Sequence, residues 1–195
     1  MDVKSLLLKW KGDIDQESID VYKFLQQSFP TKVDENVFNF VYRSFYRLDN
    51  AGLSDKWKLK YFVLLKNKET SLPIILKILY DIKRLKGDHS YQFSFATKLI
   101  HTINNDAPIY DSLVDGIFEF RKPKNNKNTI NWCIKTYDLL KKEYTSLLQD
   151  DQVQQCIKKF KKKYSAQTIS DTKALDFILW SIGKELKLKD KNEKN

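Results

Sequence analysis

Residues 94–114 read SFATKLIHTINNDAPIYDSLV and carry an amine, Lys98, and a carboxylate, Asp111, on either side of a turn. An amine attacks an electrophilic carbon only as the neutral base. A nucleophilic lysine therefore needs a group nearby that takes its proton, and Asp111 is the candidate. Each residue also has a plainer reading. At about 100° per residue, Phe93, Ala96, Leu99, Ile100 and Ile103 form an apolar side, while Ser94, Lys98 and His101 lie opposite and face away from the local core. Asp111 follows Pro108 and precedes SLVDGIF, where its side chain accepts from free backbone N–H groups as an N-cap.

Two further stretches hold residues with chemistry in them. KKFKKKY, residues 158–164, shares a helix with an apolar stripe of Val153, Ile157, Phe160 and Tyr164. Lys158, Lys159, Lys161, Lys162 and Lys163 then cover the remaining circumference and form a phosphate-binding face. Arg121, Lys122, Lys124 and Lys127 of the loop RKPKNNKN extend that patch. RLKGDH, Arg84 to His89, has the arginine–histidine spacing of small all-helical ribonucleases of the HEPN type, although Leu85 follows the arginine and Gly87 should end the helix. Most of the aromatic residues, Phe38, Phe45, Tyr61, Phe62, Phe160, Phe177 and Trp180 among them, fall on apolar stripes and are expected in the core rather than on a base-stacking surface.

These residues must be positioned by helices. The chain has 195 residues, 42% of them hydrophobic and 13% aromatic, the composition of a folded globular protein. Five glycines and four prolines are too few to turn a sandwich or barrel. Apolar residues recur at helical spacing nearly throughout, which gives an all-α fold of about eight helices, packed as one compact domain or two helical lobes. We expect a helical domain over 1–188, with 121–128 as a candidate lobe boundary and 189–195 as a disordered tail. The helix from Asp55 to Leu65 is apolar nearly all round and is expected at the centre. The next is expected to run from Leu72 to Leu85, and the last to bury Leu175, Ile178, Leu179, Ile182 and Leu186.

Charge and cysteine usage narrow the function classes. The net charge is +10, and the segment from Arg121 to Tyr164 holds twelve basic residues and four acidic. Such an excess points to a polyanionic partner, nucleic acid before any other. Cys133 and Cys156 make no disulfide framework and lack the spaced partners of a zinc site, so neither a metal nor a cofactor is expected, and a reducing cytoplasm fits. MDVKSLLLKWKGD has too short an apolar run for a signal peptide or anchor, and no membrane partner is expected.

The order of pieces around Lys98 resembles the catalytic segment of the helix-hairpin-helix DNA glycosylase superfamily, particularly its 8-oxoguanine glycosylase-like branch. The shared pieces are a helix bearing ATK, a turn, and a proline-led extended stretch whose aspartate opens the next helix. The resemblance covers about twenty-five residues. It implies that Lys98 is the nucleophile on the sugar carbon bearing the damaged base, that Asp111 is the assisting carboxylate, and that DNA is favoured over RNA. The hairpin glycines of that superfamily are missing, since no glycine lies between Tyr91 and Asp115, and the lysine-to-aspartate spacing is shorter than is usual there. The other readings are a non-catalytic helical interaction or defence-accessory protein with a basic binding face and, behind it, the HEPN-type ribonuclease.

Overall fold

The computed structural model describes residues 2–29, 34–120 and 129–192. Among them the chain forms ten α-helices, one short 3-10 turn and no strand. The helices are α1 (Val3–Lys9), α2 (Gln16–Ser28), α3 (Glu35–Tyr46), α4 (Asp55–Lys66), α5 (Leu72–Tyr80), α6 (Phe93–Ile103), α7 (Ser112–Phe118), α8 (Thr129–Leu148), α9 (Asp151–Lys163) and α10 (Asp171–Asn192). The all-helical expectation holds, with a somewhat higher count. α1 is a short helix that the apolar pattern alone does not announce.

Helix starts follow local chemistry. Asp15, Asp34, Ser54, Asp111 and Asp150 each accept a backbone N–H in the first turn of α2, α3, α4, α7 and α9, removing donors that would otherwise lack partners. Helix ends follow tertiary contacts as well. α5 stops at Tyr80 rather than Leu85 because the chain beyond it is tied to the turn before α4. The Arg84 guanidinium donates to Ala51 O at 2.9 Å, Leu85 N to Gly52 O at 3.0 Å and Ser54 Oγ to Lys83 O at 2.8 Å. At the other terminus α10 continues to Asn192, so residues 189–192 are helical and not part of a tail.

One cluster of buried apolar side chains runs from Leu7 to Ile182. The central helix is α10, not α4: residues 172–179 are buried without interruption, whereas Leu59 on α4 is 70% exposed. α10 packs against α7, α9, α1 and α8. Leu175, Ile178, Leu179 and Ile182 are buried there as expected, and Leu186 packs against the cluster from its edge. A polar thread fixes α6 within this core: Tyr42 and Tyr61 hydroxyls meet at 2.8 Å, Tyr61 donates to Phe95 O at 3.0 Å, and Tyr42 reaches Thr102 Oγ1 at 3.2 Å. A buried hydroxyl without a partner would be destabilising, so these bonds set the rotation of α6 against α3 and α4. The candidate lobe boundary at 121–128 lies outside the described residues.

Candidate active site

α6 carries two working faces. The apolar one, Phe93, Ala96, Leu99 and Ile100, is buried as its spacing predicts. The opposite face is also covered: Thr97 and His101 are fully buried and the Lys98 side chain is only 13% exposed, so Lys98 is not a solvated lysine. The cause is the chain after α6, which turns at residues 104–106 and runs back along that face. Thr97 Oγ1 accepts Tyr110 N at 3.0 Å. His101 Nδ1 meets Ala107 O at 2.7 Å, and because a carbonyl only accepts, that nitrogen carries the proton. Nε2 then accepts from the Tyr22 hydroxyl at 2.8 Å. Burial holds the His101 pKa down at about 3, with the Lys173 charge adding to the effect, so the ring is a neutral clamp.

That clamp delivers Asp111 to Lys98. Lys98 Nζ stands 3.7 Å from Asp111 Oδ2, an ion pair longer than a direct hydrogen bond. Oδ1 of the same carboxylate accepts Leu113 N at 3.0 Å and caps α7. Nζ also lies 5.0 Å from the centre of the Phe95 ring and 5.7 Å from that of Tyr46. Removal from water lowers the Lys98 pKa below its ordinary value, and Lys173 pushes the same way, while Asp111 and Asp176 oppose the shift.

Both residues line a cleft of about 500 Å³. A second pair, which the sequence reading did not single out, lies in the same cleft: Lys173 Nζ donates to Asp176 Oδ2 at 2.6 Å, with side chains 4% and 9% exposed. Lys173 Nζ is stacked over Phe177 at 4.4 Å and Tyr22 at 4.9 Å. Burial raises the Asp176 pKa, partly offset by Lys173. The sequence signal for this pair is a carboxylate inside the run ALDFILWSI, where an apolar helix face would otherwise be unbroken. Exposed Arg47, Lys184 and Lys187 also border the cleft, whose charged lining is five cations, with Lys98 and Lys173, against two carboxylates, Asp111 and Asp176. Phe45, Tyr46, Phe177 and Trp180 supply aromatic surface. Among the described residues no group of three or more His, Cys, Asp or Glu side chains is placed to hold a metal ion.

The remaining candidates lie elsewhere. None of the five α9 lysines lines the cleft. Lys161 pairs with Asp171 at 2.5 Å and Lys163 with Asp13 at 2.9 Å, whereas Lys158, Lys159 and Lys162 are exposed. Arg121, Lys122, Lys124 and Lys127 lie outside the described residues. Arg84 and His89 are in the turn after α5 and not on one helix: Arg84 also pairs with Asp88 at 3.3 Å, and His89 Nδ1 meets Tyr80 O at 2.7 Å. No helix among the described residues is long and apolar enough to cross a membrane.

No protein-family model matches the chain, and comparison with curated proteins and with solved structures yields no match.

Proposed function

We propose that the protein binds nucleic acid, DNA in preference to RNA, and excises a base through a Schiff base on Lys98, in the manner of the glycosylases its 94–114 segment resembles. The observation that carries this reading is an amine of depressed pKa, 3.7 Å from a carboxylate, in a cleft bordered by cations. Burial favours the neutral amine that a nucleophile must be, and Asp111 is within reach of its proton. Attack of the Nζ lone pair on the sugar carbon C1′ forms the N–C1′ bond as the glycosidic bond breaks. The glycosidic electron pair leaves with the base, which takes up a proton from water. Asp111 receives a proton from the amine. Opening of the sugar ring then breaks C1′–O4′ and gives an iminium between Nζ and C1′, and the proton held by Asp111 passes to O4′, which becomes a hydroxyl.

Borohydride delivers hydride to that iminium carbon and fixes the adduct as a secondary amine. Wild-type protein incubated with DNA carrying an abasic site or a damaged base should therefore yield a covalent complex on gel electrophoresis. Failure across a panel of lesions sinks the catalytic reading. The exposed Lys158, Lys159 and Lys162 favour a second reading, a non-catalytic module that binds a polyanion. Salt-sensitive binding without any trapped adduct would select it.

A further inference from the structure

The notable mismatch is that the lysines clustered in sequence are not the cations around the cleft. On α9, Lys161 and Lys163 are each neutralised by an aspartate, and neither they nor their neighbours line the cleft. Arg47, Lys184 and Lys187 do line it, are exposed, and make no ion pair with a described side chain. They come from separate parts of the chain: Arg47 ends α3 in a left-handed conformation, φ 58°, and the two lysines are one turn apart on α10. Lys184 Nζ lies 5.4 Å from the centre of the Trp180 ring, which also lines the cleft. Asp111 and Asp176, the two carboxylates of the cleft, are each engaged by a lysine. A nucleotide that presents C1′ to Lys98 must carry its flanking phosphates past the mouth, where unpaired cations release counterions on contact.

We infer that the nucleic-acid backbone is held by Arg47, Lys184 and Lys187 at the mouth of the cleft, rather than by the lysines of α9. This rests on the nucleic-acid reading above and assigns its binding face. The surface suits a phosphodiester strand crossing the cleft.

The test compares two sets of exposed substitutions. One protein carries Arg47→Gln, Lys184→Gln and Lys187→Gln, and the other carries Lys158→Gln, Lys159→Gln and Lys162→Gln. Fluorescent DNA oligonucleotides with one abasic site, single-stranded and duplex, are titrated at several salt concentrations, and thermal melting checks that both variants stay folded. The mouth variant should show a slope of log affinity against log salt shallower by roughly two to three, near one per lost phosphate contact, with the α9 variant close to wild type. A double variant, Lys184→Gln with Lys187→Gln, should lose roughly two and guards against any disturbance of the turn at Arg47. A wild-type slope in the mouth variant, or a loss confined to the α9 variant, overturns the assignment while leaving nucleic-acid binding intact. If the wild-type protein binds neither oligonucleotide at low salt, the nucleic-acid reading itself falls, and the assignment with it.

Discussion

Asp111 divides its carboxylate between two helices: Oδ1 caps α7 by accepting Leu113 N at 3.0 Å, and Oδ2 faces Lys98 Nζ at 3.7 Å. Cap and charge partner are thus one residue. Asp111→Asn separates the two roles, since asparagine still caps while losing the charge. The cap should hold, but melting temperature at neutral pH should fall, because a Lys98 pKa pushed further below its unfolded value costs stability wherever the unfolded amine is charged. The amine loses a group that favours its charged form, so its pKa falls further and more of it is neutral. A fall of orders of magnitude in borohydride trapping, despite the more neutral amine, identifies Asp111 as the proton acceptor; unchanged or faster trapping leaves it a cap and counter-charge only.

Lys98 is packed as well as paired. Its side chain is largely buried and Nζ lies over the Phe95 and Tyr46 rings, so Lys98→Ala should abolish trapping and also destabilise by about 0.5 to 3 kcal/mol. Lys98→Met keeps the stem and removes only the amine. It should lose trapping with a smaller loss in urea denaturation. Equal stability of both variants with wild type would contradict the burial of this side chain.

The reaction should also report the depressed pKa of Lys98. Trapping rate should rise with pH as the amine deprotonates, with the midpoint below the ordinary lysine value of 10.5. A midpoint at or above that value would show an amine in ordinary contact with water.

His101 sets an acid limit on stability. Folded, it stays neutral down to about pH 3, whereas the unfolded chain takes up a proton near 6.5. Between those values the unfolded state binds more protons, so stability falls as pH drops below 6.5, by up to about 1.4 kcal/mol per unit. Above 6.5 the ring is neutral in both states and the effect vanishes. His101→Gln should be less stable at neutral pH, for want of the Tyr22 and Ala107 bonds, yet flatter between pH 6 and 4 in urea titrations. A variant with the wild-type acid slope would place that sensitivity elsewhere.

The pair on α10 should behave as a unit. Lys173→Met leaves Asp176 buried without its partner, which costs about 3 to 5 kcal/mol. The loss should shrink as pH falls and Asp176 takes up a proton, since its folded pKa is already raised. Adding Asp176→Leu should recover part of the loss. Ile178→Ala, a fully buried truncation on the same helix, should cost about 2 to 5 kcal/mol whatever the pH.

Much of the fold is legible from local patterns. Asp34, Ser54 and Asp150 open helices because short polar side chains reach backbone donors two or three residues on, an interaction complete within one turn. Val153, Ile157, Phe160 and Tyr164 are buried because helical spacing puts them on one stripe. Asp111 as a cap was legible for the same reason. The end of α5 was not, because Arg84 and Leu85 bond to Ala51 and Gly52, some thirty residues away in the chain.

The sequence by itself determined an all-helical chain with a basic surface, and it singled out Lys98 and Asp111 by residue type and order. Tertiary structure decided what surrounds them. A helical wheel assigns one apolar face and leaves the rest to water, so it turned Ser94, Lys98 and His101 outward. In the folded chain residues 107–111 bond back onto that face, and α10 brings Lys173 and Asp176 into the same cleft. Burial, and with it the shifted pKa of Lys98, depends on segments far apart in sequence. The same holds for the cations at the cleft mouth: Arg47 and Lys187 are gathered by helix packing, whereas the conspicuous run KKFKKKY lies on a helix that does not line the cleft.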